Sequence, residues 1–335
     1  MGLKKLKKEI GKQYLYMDPK GGTEILKEQL IAQLEPGSID GINLIGSICH
    51  PSLVKKDKTN VVWQHLSYDQ PNVQYMRDRK FVDSIDYFIY VSHWQYNKFR
   101  EHFQIPEYKS FVIKNATPAF EEVIKPSVVL PVIPENKVKI LYTSTPWRGL
   151  AILIRAIDIL NKTRDDFEVE IYSSTRIYGS QFEESEKGKF DSLFEKCRNT
   201  KNVLYRGYGI NTQIREALKE SHIYAYPSIF EETSCLAVIE AMSAGCHVVT
   251  TNYGALPETC GEFATMIEFD SSAQNLVERY ADTLNSVIDN YKKNLYKEDL
   301  EMQTKYYKNY YSWQTRIKEW ENFLNYVRQQ KKETN

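Results

Sequence analysis

The chain has 335 residues, 42% of them hydrophobic, enough to bury a large core and to divide into two domains, since a single core stops growing at about 250–300 residues. Basic and acidic residues both number 44, so the formal net charge is zero and no global field draws the protein onto nucleic acid or an acidic bilayer. The five cysteines, Cys49, Cys197, Cys235, Cys246 and Cys260, form an odd set without a C-x-x-C pair, which speaks against a disulfide framework or a structural zinc site and points to a reducing, cytoplasmic setting.

The amino-terminal stretch LKKLKKEI places Leu3, Leu6 and Ile10 at spacings of three and four, a narrow apolar stripe that could lie on a membrane surface. Its shortness favours a solvated, fraying helix instead. No apolar run is long enough to span a bilayer. A strand over residues 13–17, the loop DPKGGTE and a helix over 23–34 follow, giving strand, glycine turn and helix. Strands are expected at 41–48, 61–66, 87–92 and 111–114, with helices around 74–83 and 95–102. Residues 117–136 carry Pro118, Pro126, Pro131 and Pro134 without any sustained period and read as a linker.

The alternation then repeats: a strand at 138–144, the turn TPWRG, a helix at 149–161, strands at 167–173 and 203–206, and helices around 184–197 and 212–220. A further strand is expected near 264–269, and three amphipathic helices at 272–291, 297–310 and 312–328 close the chain. The last carries Trp313, Ile317, Trp320, Phe323, Leu324 and Val327. The reading is α/β, two doubly wound lobes, with domains at 1–135 and 136–311 and a terminal helix at 312–335 packing back across them.

The most informative stretch is YPSIFEETSCLAVIEAMSAGCHVVTTNYGALPE, residues 226–258. An apolar strand ends at Pro227, a polar loop delivers Glu231 and Glu232, and 234–244 has helical period with Leu236, Ile239 and Met242 as its buried edge. Thr233 or Ser234 is placed to cap this helix, Gly245 to end it in a left-handed conformation, and 246–251 to form a central strand. The amides of Ser234, Cys235 and Leu236 would then face a crevice at the strand ends, where a helix start attracts phosphate. Arg148, just after the first strand of the second lobe, offers a planar fork for a diphosphate, and Gly21 and Gly22 allow close backbone approach in the first lobe.

These residues resemble the GT-B type retaining glycosyltransferases, specifically glycosyltransferase family 4. The two-glutamate block of 227–258 carries the likeness most strongly, with weaker echoes in KGGTE, YVSHWQYNKF followed by VIKNA, and ILYTSTPWRGL. The resemblance implies a GT-B architecture, two Rossmann-like domains facing each other across a cleft. It implies that Glu232 contacts donor-sugar hydroxyls and orients the leaving diphosphate, that Glu240 holds ribose hydroxyls, and that His65, in VVWQHLSYDQP, lies near the donor sugar. Thr233, Ser234, Cys235 and Leu236 complete the donor side. One position departs: the family's arginine, five residues before a lysine, is Thr143 here, with Arg148 in the second place.

The function expected is transfer of a sugar from a UDP- or GDP-sugar to a glycan or other hydroxyl acceptor, with retention of configuration. The chain has no D-x-D spacing, so neither a metal nor any other cofactor is expected beyond the donor substrate. A nucleotide-sugar epimerase, a phosphorylase of the same architecture and a noncatalytic sugar-nucleotide-binding protein are the alternatives. A dinucleotide oxidoreductase is disfavoured because neither lobe opens on G-x-G-x-x-G, and a kinase because G-x-x-x-x-G-K-[ST] is absent.

Overall fold

A computed structural model describes residues 22–120, 137–176 and 179–334. The strand expected at 13–17, Gly21 and most of the proline-bearing linker lie outside these residues. The described chain forms two compact units. One gathers 22–118, 232–234 and the residues from Tyr310 onward; the other gathers 119–231 and 235–309.

The first unit opens with α1 (Gly22–Gln33) and β1 (Ile42–Gly46), then β2 (Thr59–Gln64), a 3-10 turn at Pro71–Arg77, and α2 (Arg79–Ser84). It continues through β3 (Tyr87–Tyr90), α3 (His93–Phe103) and β4 (Ser110–Val112). The four strands pair in parallel in the order β1-β2-β3-β4. Where one helix was expected over 74–83, two shorter pieces form, because Asp78 leaves helical geometry and accepts from Lys80 N–H as the cap of α2. Ile45, Val62, Met76, Phe81, Phe88, Tyr90 and Phe99 fill the core, large apolar side chains brought together by the alternation of strand and helix.

The second unit runs β5 (Val138–Thr143), α4 (Leu150–Leu160), β6 (Phe167–Tyr172), α5 (Ser180–Ser185), α6 (Asp191–Asn199), β7 (Val203–Gly207) and α7 (Asn211–Glu220). Then come β8 (Ile223–Tyr226), α8 (Leu236–Ser243), β9 (His247–Thr251), α9 (Leu256–Cys260), β10 (Thr265–Ile267), α10 (Ala273–Lys292) and α11 (Lys297–Tyr310). The helix expected over 184–197 is split into α5 and α6, with Gly188 between them at φ +81, outside helical space. All six strands are parallel, in the order β10-β9-β8-β5-β6-β7. The order reverses between β5 and β8, and ligands of such sheets bind beyond the carboxyl ends of the strands at that reversal. The loops leaving those two strands are the TPWRG turn and the segment leading to the two-glutamate motif.

α12 (Trp313–Thr334) belongs with the first unit. Trp320 meets Trp63 of β2 edge to face at 4.9 Å, Trp313 Nε1 donates to Gln29 at 2.9 Å, and Phe323 packs on Tyr87 and Phe111. The apolar stripe read from the sequence is thus mostly buried, with Trp313, Trp320, Phe323, Leu324 and Val327 in the core.

Candidate functional site

In the second unit the candidate site lies at the β5/β8 reversal. Thr143 ends β5, its hydroxyl 3.1 Å from that of Tyr224 on β8, so this side chain is engaged in a local bond. Arg148 closes the 3-10 turn Pro146–Arg148, and its guanidinium carbon lies 4.2 Å from the ring centroid of Phe230, in the loop after β8. A cation this close to a ring is held by the ring's negative face, which fixes where the guanidinium sits. Between them stands Gly149, at φ +120, where a Cβ would come 2.0 Å from Pro227 O. The two loops approach so closely that only glycine fits.

Glu240, on α8, meets Arg215 of α7: Nη1 lies 3.1 Å from Oε1, both side chains being largely buried. Arg215 also donates to Ala119 O at 2.8 Å and lies 3.7 Å over the Phe120 ring. Nothing in the sequence singled out Arg215, since its partner sits 25 residues away on a different helix.

The cap expected for the motif helix is corrected. α8 begins at Leu236 with Cys235 as its N-cap residue, whose side chain makes no capping hydrogen bond. The hydroxyls named for that task are committed elsewhere: Thr233 Oγ1 donates to His65 O at 2.8 Å, and Ser234 Oγ accepts from Asn115 Nδ2 at 3.2 Å. The first-turn amides are therefore those of Leu236, Ala237 and Val238, with Ser234 and Cys235 in the turn before. The buried edge also differs, comprising Val238, Ile239, Ala241 and Met242, while Leu236 is half-buried. Gly245 does end the helix at φ +87. Cys235 is a buried thiol, as are the other four cysteines.

Glu232, Thr233 and Ser234 group with the first unit, and Glu232 is 4% exposed. His65 follows directly on β2, its ring 4.6 Å from Trp63. Its Nδ1 faces Ser47 Oγ at 3.4 Å, and its Nε2 is buried without a hydrogen-bond partner among the described residues. Burial of the ring pushes its pKa down to about 3, so the imidazole is neutral at ordinary pH. Gly22 is the exposed first residue of α1, and Thr23 behind it lies 3.5 Å from Ser47 Oγ.

Residues 131–309, more than half of the chain, match the family described as glycosyl transferases group 1. The chain belongs to this family. Among curated relatives, this glycosyl transferase group 1 chain is 33% identical over 101 residues to the phosphatidylinositol N-acetylglucosaminyltransferase gpi3 subunit of Schizosaccharomyces pombe. That match spans 30% of the chain and 21% of the relative. Among solved structures, a glycosyltransferase from Rickettsia africae superposes with a TM-score of 0.64 at 18% identity, covering 97% of this chain and 80% of that one. The pneumococcal O-GlcNAc transferase GtfA, in complex with UDP and GlcNAc, gives 0.62 at 12% identity over 92% of this chain and 60% of its own. Sucrose-phosphate synthase from Thermosynechococcus elongatus gives 0.63 at 14% identity, covering 91% and 78%. With two parallel sheets and these neighbours, the family member has the GT-B type of α/β fold. Among the described residues no helix is long and apolar enough to cross a membrane. The amino-terminal stripe of Leu3, Leu6 and Ile10 lies outside those residues.

Proposed function

We propose that the chain is a retaining glycosyltransferase of family 4 that moves a sugar from a UDP- or GDP-sugar to an acceptor hydroxyl, in glycan or polysaccharide synthesis and without a metal. The observation that carries this reading is the seating of Arg148 on Phe230 at the β5/β8 reversal, two residues before Glu232. Breaking a glycosyl–diphosphate bond builds negative charge on the departing phosphate, and donors already fixed in place meet that charge without reorganising. Arg148 and the amides opening α8 are such donors. Glu240, steered by Arg215, accepts from the ribose hydroxyls. Glu232 and the neutral His65 contact the sugar, and the acceptor attacks on the face the diphosphate leaves.

The names of two relatives mention N-acetylglucosamine, so UDP-N-acetylglucosamine is the first donor to try. A thermal-shift screen of nucleotides and nucleotide sugars identifies the donor class by mass action. Release of UDP or GDP in excess EDTA, followed by NMR of the product, then tests the rest. An inverted product refutes retention, loss of turnover in EDTA refutes metal independence, and epimerised donor without transfer replaces the transferase reading with an epimerase.

A further inference from the structure

Ser47 is a serine in a conformation that L-residues avoid. It follows β1 directly, has φ +56, and is the centre of a three-residue turn closed by Ile48 N–H on Gly46 O at 2.5 Å. This is the rarer, strained form of the γ-turn. Among the described residues the remaining positive-φ positions other than glycine are Gln104, which ends α3, and two asparagines, which tolerate the region.

The surroundings hold Ser47 there from several sides. Its N–H donates to Trp63 O at 3.0 Å, and its carbonyl accepts from Gln64 Nε2 at 3.0 Å and from Cys49 Sγ at 3.6 Å. The residue is 4% exposed. Strain persists only where neighbours over-determine it, and it gathers at sites that use it. What the turn achieves is the placement of one atom. Because β1 and β2 are parallel, with Gly46 opposite Trp63, the residues just beyond their carboxyl ends lie side by side, and the turn aims Ser47 Oγ at His65 Nδ1, 3.4 Å away.

The direction of the bonds follows from what each atom can do. Nδ1 has an acceptor in Ser47 Oγ, whereas Nε2 is buried without a partner among the described residues. A buried N–H without an acceptor is rarer and costlier than a bare lone pair, so the hydrogen sits on Nδ1. Ser47 Oγ then accepts from Nδ1–H and passes its own hydrogen towards Thr23 Oγ1, 3.5 Å away. These contacts are long, as such bonds often are before substrate binds. We propose that Ser47 is a positioning residue for His65: its strained turn fixes the imidazole as the Nδ1–H tautomer and leaves the buried Nε2 lone pair to accept a hydrogen bond from a sugar hydroxyl. The sugar contact rests on the transferase reading, whereas the tautomer does not.

The test uses the full chain labelled with 15N-histidine, without ligand, and two variants, Ser47→Ala and Ser47→Gly, with His65→Ala to assign the signal. Wild type is expected to show His65 with a protonated Nδ1 and a bare Nε2, and both variants a mixture of tautomers. With the nucleotide sugar found by screening, both lose kcat by about 10- to 100-fold, as misplacement of a contacting group does. Ser47→Gly meanwhile raises the melting midpoint by about 2–4 °C, because glycine accepts φ +56 without strain. A merely structural serine would show activity following stability. An Nδ1–H signal unchanged in both variants overturns the proposal, and so does Ser47→Gly that is more stable and fully active. If His65→Ala keeps full turnover while the tautomer shifts as expected, the placement of His65 at the sugar fails and the positioning of its ring stands.

Discussion

Arg215 reaches Glu240 with one arm and the Ala119 carbonyl with the other, at 3.1 and 2.8 Å. The carboxylate proposed to hold the ribose is therefore aimed by a cation that is itself anchored at Ala119 and over the Phe120 ring. Arg215→Ala is expected to weaken nucleotide binding by about tenfold, roughly 1.4 kcal/mol, and Glu240→Ala by at least as much. Because the two act as one device, the double variant should be little worse than Glu240→Ala alone. Calorimetric titration with UDP and GDP checks this, and strictly additive losses would separate the two residues.

Arg148→Ala should lower turnover by about 100-fold or more while leaving the melting midpoint nearly unchanged, since the role proposed for the side chain is that of a preorganised donor and not core packing. Arg148→Lys keeps the charge but loses the planar fork and the stacking, so it should recover only part of the rate. Steady-state rates beside a melting curve for each variant decide it. Equal damage to rate and stability would make Arg148 a structural residue.

Gly149→Ala fails for a different reason. A methyl group there would meet Pro227 O at 2.0 Å, backbone against backbone, at φ +120. The loss should exceed about 3 kcal/mol, in the range reserved for strain and overpacking. Urea unfolding measures it, and a neutral result would mean that the two loops lie further apart.

Acidification should destabilise the protein well before its carboxylates titrate. Burial lowers His247 to about 4 and His65 to about 3, from a usual value near 6.5. Between about 6.5 and these values the unfolded chain binds protons that the folded chain does not, so stability rises with pH and falls as pH drops below 6.5. Each buried histidine contributes at most about 1.4 kcal/mol per pH unit in that window. His247→Gln, which can keep a bond to Thr265 in place of the 2.8 Å contact from Nε2, should flatten the profile measured by urea unfolding from pH 7 to pH 5. An unchanged slope would show that His247 is protonated while folded.

The sequence was most legible where one side chain periodicity dominates. The strands of the second unit and the helices α4, α10 and α11 fall within a few residues of expectation, since runs such as that of α4 bury one continuous apolar surface. It was least legible where polar side chains choose between neighbours. Thr233 and Ser234 are good caps by type, yet His65 O and Asn115 Nδ2 claim them, and both lie more than a hundred positions away. Arg215 and Ser47 were invisible for the same reason. A cation on an amphipathic helix and a serine after a strand acquire meaning only from partners that the fold supplies.

Trp63 and Trp320 pack edge to face although 257 positions separate them, and the same is true in kind of Gln29 with Trp313. On the ribosome, β2 emerges long before the helix that covers its tryptophan, and the whole intervening unit is translated in between. The first-made unit thus waits with an aromatic face bare while the later one completes its own sheet, so the order of synthesis and the order of completion are opposed. A stop codon just before α12 would strand that face in water and turn a nearly finished polypeptide into a client for chaperones.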